Sequence, residues 1–158
     1  GMKKNTVISI CIFLFFALPG LYAQFSFEGN VIRVTDGDTI TVRTGEVNFR
    51  VRLHGIDAPE RGQPFGTKAR DALSEMVAGE VITVKVMDVD RYGRLIGLLS
   101  LGDTAVNLEM LLKGFAWHYK DYDSSDSFAE AEASARREQR GLWAEPNPVA
   151  PWDWRKKN

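Results

Sequence analysis

Residues 25–54 alternate strand-forming stretches with tight turns, a pattern that few folds accommodate. Phe25 to Val34 reads as a strand, Thr35-Asp36-Gly37-Asp38 as a turn, and Thr39-Ile40-Thr41-Val42-Arg43 as a second strand with β-branched residues at period two. Thr44-Gly45-Glu46 turns the chain again into Val47–His54. There Arg50, Arg52 and His54 share one face, while Val51 and Leu53 share the other. Three sequential strands with short connections predict an antiparallel meander.

The remaining elements decide how that meander closes. A helix is expected over Gly66–Val77, with Ala69, Leu73, Met76 and Val77 on one side and Gly79 as its stop. Strands over Val81–Val86 and Leu95–Leu101 flank the charged turn Asp88–Arg94. A short helix over Asn107–Lys113 ends at Gly114. Ser127 and Glu130 form a candidate capping box for a helix running to Gln139, before Gly141. Gly55–Phe65 reads as a loop, and Pro146, Pro148 and Pro151 predict an extended tail ending in Arg155-Lys156-Lys157. This order fits an α+β fold on a small closed barrel better than a doubly wound sheet, which needs regular β-α alternation. With 158 residues, a single domain buries enough surface to need no disulfide or structural metal.

The first residues are of a different kind. Gly1 before Met2 has the character of an expression scar. Lys3 and Lys4 precede an apolar run from Val7 to Leu18, a Pro19-Gly20 break and Ala23, the layout of a secretory signal cleaved near Gln24. The run is too short for a spanning helix, so membrane attachment is expected only through an uncleaved signal. Residues 1–23 hold two of the 20 Lys and Arg residues and none of the 21 Asp and Glu residues. The remainder therefore has 18 basic against 21 acidic residues, a net of −3. Cys11, the one cysteine, lies in the signal, which excludes thiol nucleophiles and zinc–thiolate sites from the rest. An acidic chain holds a polyanion through a local basic site and not through its overall field.

Asp36-Gly37-Asp38-Thr39 is a turn sequence in its own right, but its carboxylates are also hard oxygen donors. An EF-hand loop is excluded, because its third acidic position falls on Ile40. A second acidic cluster, Asp57-Ala58-Pro59-Glu60, follows the Arg-bearing strand. Arg52 lies five residues before Asp57, and Arg94 closes the turn Asp90-Arg91-Tyr92-Gly93-Arg94. Ionised arginines on a barrel face should meet carboxylates or phosphate. Together these residues suit metal-assisted hydrolysis of a phosphodiester, with carboxylates for a cation and a base and guanidinium groups for the phosphoryl oxygens.

These motifs stand in the order and spacing of the thermonuclease family, the staphylococcal nuclease type, which the chain resembles from about Val31 to Trp143. The resemblance includes Phe49-Arg50-Val51-Arg52-Leu53, Asn107–Gly114 and Gly141-Leu142-Trp143. It implies a five-stranded OB barrel with about three helices. It also implies Ca2+ held by Asp38, Asp57 and the backbone carbonyl of Ala58, with Glu60 activating water and Arg52 and Arg94 on the scissile phosphate. DNA and RNA are the implied substrates, cleaved to 3′-phosphate ends. Tyr92 matches a base-stacking tyrosine, and Trp117 or Tyr119 is expected to replace the family's other base-stacking tyrosines in binding substrate. Ala58 replaces the Thr of the best-known member, and the segments Glu60–Gly66 and Gly114–Ser127 are shorter. The expected organisation is a scar and signal over residues 1–23, a nuclease-like domain over residues 24–145 and a Pro/Trp/basic tail over residues 146–158. The expected protein is a secreted or periplasmic monomeric nuclease. The alternative is an OB module that binds single strands without catalysis.

Outside this set, His54 reads as a structural hydrogen-bonding residue. His118 suits either substrate stacking or packing, and Asp121, Asp123 and Asp126 read as a solvated loop.

Overall fold

The computed structural model describes residues 25–158, so the expected signal and Cys11 lie outside the described residues. Strands β1 (Phe25–Asp36), β2 (Thr39–Thr44) and β3 (Val47–Leu53) form the predicted meander. Helix α1 (Gly66–Val77) separates them from β5 (Val81–Val89) and β6 (Leu95–Leu101). β5 pairs antiparallel with both β1 and β6, and β6 also pairs with the two-residue strand β7 (Thr104–Ala105). A parallel pairing of β3 with β6, Val51 opposite Leu95 and Arg52 opposite Ile96, closes the five strands into a barrel. Register shifts in β1 after Val31 and Val34, and in β5 after Val86, bend the strands toward closure. Alternate residues fill the interior: Val31, Ile40, Val42, Val51, Leu53, Ile82, Val84, Val86 and Leu99 are all buried. Leu73 and Val77 of α1 cover one part of this core. Met110 and Leu111 of α2 (Val106–Leu112) cover another.

The described residues contain four α-helices, one more than expected: α1, α2, α3 (Asp126–Arg137) and α4 (Pro151–Lys157). α4 lies in the tail, where the prolines predicted extended chain. Pro151 occupies the first helical turn, where its missing N–H costs no hydrogen bond and its fixed φ suits the helix. The expected Ser127–Glu130 box does not form. Ser125 is the N-cap instead; its N–H and Oγ–H both donate to Asp123 Oδ2, at 3.0 and 2.7 Å, while Glu130 pairs with Arg137. Within the predicted loop after His54, β4 (Ile56–Asp57) pairs with β8 (Trp117–His118). A pairing of two residues on each side is too short to show a period in sequence. No helix among the described residues is long and apolar enough to cross a membrane.

Asn107 ties α2 to the barrel. It is 1% exposed; its Oδ1 accepts the Leu99 N–H at 3.0 Å, and its Nδ2 donates to the carbonyls of His54 at 3.0 Å and Gly97 at 3.1 Å. Removing this amide strands buried backbone groups. Asn107→Ala is predicted to destabilise the fold by about 2–4 kcal/mol, read as a lower urea midpoint at unchanged slope. A midpoint equal to the parent's would contradict this.

Candidate active site

The two acidic turns meet because Gly37 permits it. A Cβ at Gly37 would lie 2.7 Å from the Ala69 methyl and 2.8 Å from the Ala58 methyl, so a side chain there would push the β1–β2 turn off α1 and off the second acidic segment. With the turn seated, Asp38 Oδ2 accepts the Ala58 N–H at 2.7 Å, and Asp38 Oδ1 accepts the Thr39 hydroxyl at 3.2 Å. Asp36 Oδ1 accepts the Asp38 N–H at 3.1 Å. Asp38 and Asp57 are 6% and 1% exposed.

Glu60 is placed by its own loop. Its N–H donates to Gln63 Oε1 at 2.9 Å, the Gln63 N–H donates back to the Glu60 carbonyl at 3.0 Å, and Gln63 Nε2 reaches the Val149 carbonyl at 2.7 Å. Gly66 packs directly on the Glu60 carbonyl, leaving no room for a Cβ.

Two guanidinium groups neutralise these carboxylates. Arg52 Nη1 donates at 2.8 Å to the carbonyls of both Leu53 and Ile56, which fixes the side chain across the end of β3. Its Nη2 then stands 3.3 Å from Asp57 Oδ1 and 3.4 Å from Asp38 Oδ2, bridging the two turns. The second guanidinium is Arg155 of α4. Its Nη1 donates to Glu60 Oε1 at 2.6 Å and Asp57 Oδ1 at 3.1 Å, and its Nη2 donates to Asp57 Oδ2 at 2.8 Å. Sequence reading missed Arg155, because nothing local distinguishes one basic residue in a basic tail.

The charge balance is tight. Burial, then the Asp38 charge and a hydrogen bond shared with it, lifts the Asp36 carboxyl to about 7. Burial also pushes Asp57 above the ordinary carboxylate range; the Arg155 hydrogen bonds pull it back, and the Asp38 charge pushes it up again. For both groups the folded state favours the protonated form, so each makes the fold less stable as pH rises above the unfolded carboxyl range. Such a site gains from added positive charge.

Arg94 stands one residue before β6, two before Ile96, the partner of Arg52. Strand alternation therefore puts it on the Arg52 face. Its head group is turned aside, with Nε donating to Asp90 Oδ2 at 2.7 Å. Tyr92 is exposed on the same turn, its hydroxyl accepting from Arg91 Nη2 at 2.7 Å. Neither joins the carboxylate cluster directly.

The pairing of β4 with β8 sets Trp117 opposite Asp57. The Trp117 ring packs against Trp143, with centroids 4.5 Å apart, and edge-on to Trp152 at 5.5 Å; the Arg136 guanidinium lies over both Trp117 and Trp143. Tyr119 stacks on Trp152 at 5.5 Å and 11°. Burial, then the Asp57 charge, raises its hydroxyl above the usual phenol range. Asp123, expected in a solvated loop, is 12% exposed in its side chain and lies between two imidazoles. It is 2.8 Å from His118 Nε2 and 3.4 Å from His54 Nε2. The His118 ring also meets Phe128 of α3 edge-on, with centroids 6.1 Å apart.

Among the described residues no three His, Cys, Asp or Glu side chains gather into a ready-made metal cage. The donor chemistry nevertheless fits a hard cation. Asp38 and Asp57 are buried oxygen donors, and the groups now opposite them are cationic. Of Ala58, it is the N–H that makes the contact seen with Asp38.

The family model described as staphylococcal nuclease homologue matches residues 50–145. An uncharacterized endonuclease of Escherichia coli is 40% identical over 149 residues, covering 94% of this chain and 95% of that one. The micrococcal nuclease of Shigella flexneri is 38% identical over 160 residues, covering 94% and 90%. The staphylococcal-like nuclease CAN1 of Arabidopsis thaliana is 47% identical over 108 residues, covering 68% of this chain and 33% of that one. The family model covers more than half of the chain, the first two of these relatives cover 94% of it at 40% and 38% identity, and the barrel is the fold expected, so the chain belongs to the staphylococcal nuclease family.

Proposed function

We propose that the protein is a calcium-dependent nuclease that hydrolyses DNA and RNA to 3′-phosphate products, acting outside the cytoplasm as a monomer. One observation carries the reading: Asp38, Asp57 and Glu60, from two separate turns, share a single charge cluster, with Arg52 bridging Asp38 to Asp57 and Arg155 bridging Asp57 to Glu60. Extracytoplasmic action rests on the signal pattern of residues 2–23.

Asp38, Asp57 and the Ala58 carbonyl would hold Ca2+, which supplies Lewis-acid polarisation of the phosphoryl oxygen. Arg52, fixed by two backbone carbonyls, presents its remaining N–H groups to a phosphate oxygen without reorganising. Arg94, on the same barrel face, would turn from Asp90 onto the phosphate. Glu60 accepts a proton from water as the water oxygen bonds to phosphorus. The bond from phosphorus to the 5′ oxygen breaks, and that oxygen takes a proton from solvent. The 3′ side keeps the phosphate. Tyr119 and Tyr92 offer aromatic faces for the flanking bases. Trp117 contributes mainly by holding Tyr119 and Asp57 in place.

Glu60→Gln and Arg94→Ala are each predicted to lower kcat on DNA at least about a hundredfold while leaving the thermal melt near the parent's. Parent-like turnover in either variant sinks its assigned role. Gly66→Ala, which displaces the Glu60 carbonyl, is expected to lower kcat by about tenfold or more with little change in KM, since misplacement of a base costs rate before binding. A purely higher KM would instead mean that Gly66 shapes substrate binding.

A further inference from the structure

The position of Arg155 raises a question that the catalytic reading leaves open. A general base held 2.6 Å from a guanidinium is poorly placed to take a proton, and Asp57 has both oxygens occupied by the same group. The helix carrying Arg155 is placed deliberately. Gln63, the residue that orients Glu60, also holds the Val149 carbonyl just ahead of it. Ala150 and Pro151 are buried, and Trp152 lies flat on Tyr119 and edge-on to Trp117. One short helix thus covers both the carboxylates and the aromatic platform beside them.

Its attachment is reversible in kind. α4 is seven residues long, none of residues 151–157 belongs to a hydrophobic core cluster, and the Arg155 side chain is 41% exposed. Short elements outside the core open at low cost relative to global unfolding. A divalent cation on Asp57 would stand at hydrogen-bond range from the guanidinium, and like charges at that range repel.

We propose that α4 is a tethered occupant of the cation site, with Arg155 and a divalent cation competing for the Asp57 and Glu60 carboxylates. This rests on the cation-dependent reading above. Without a bound cation, Arg155 holds both Asp57 and Glu60 in ion pairs. Cation binding releases the guanidinium, frees Glu60 to act as base and lifts Trp152 from Tyr119. Cation concentration then governs both the chemistry and access to the aromatic platform.

The test is calcium titration by calorimetry of the full parent chain, Arg155→Ala and Trp152→Ala, with hydrogen exchange measured across residues 151–157. Arg155→Ala should tighten apparent calcium binding about tenfold, the factor expected if the competing contact is ~90% formed. Trp152→Ala leaves every charge in place and should shift the affinity in the same direction, which keeps the test decisive if Arg155→Ala folds poorly. In the parent, calcium should speed amide exchange within residues 151–157. Equal affinities in all three proteins, with exchange there unchanged by calcium, would overturn the competition while leaving the nuclease reading standing. Calcium binding to none of them would bring down both.

Discussion

The contact between two acidic turns, 20 residues apart in sequence, is the constraint on which the site depends. Asp38 reaches across to the Ala58 N–H because Gly37 has no side chain to hold the turns apart. The barrel supplies the rest of the geometry: β2 pairs with β3 so that Thr39 faces Arg52, and the parallel seam of β3 with β6 brings Arg94 onto the same face. A fold that separated these turns by a few ångströms would keep its core and lose the charge cluster.

Gathering carboxylates in this way is unfavourable unless cations answer them. Burial raises Asp36 to about 7 and pushes Asp57 in the same direction, so the cluster is electrostatically frustrated as it stands. Arg52 is the permanent part of the answer, since its guanidinium is also bound to two backbone carbonyls. Arg155 is the adjustable part, because it reaches the cluster from a terminal helix held by aromatic contacts and one side-chain amide. The same frustration that makes the site accept a guanidinium makes it suited to a hard divalent cation.

Much of this was legible in sequence, for identifiable reasons. The strands announced themselves by β-branched alternation, and the acidic motifs by their fixed spacing from Arg52. What escaped depends on contacts between segments distant in the chain. The pairing of β4 with β8 has no periodic signature, and Asp123 looked like loop because its partners, His54 and His118, come from other elements. Ser125, hydrogen-bonded to Asp123, stands at the N-cap position in place of Ser127. The tail was the largest difference. Its prolines read as breakers, whereas Pro151 opens the helix that delivers Arg155 to Asp57.

The cluster is suited to cation-assisted cleavage of phosphodiesters. The most direct test is incubation of the protein with single-stranded and duplex DNA, in calcium and in chelator, followed by analysis of the product ends. Cleavage that requires calcium and leaves 3′-phosphate and 5′-hydroxyl ends is the predicted result. Binding without cleavage at any calcium concentration would contradict the claim and make the barrel a nucleic-acid-binding module.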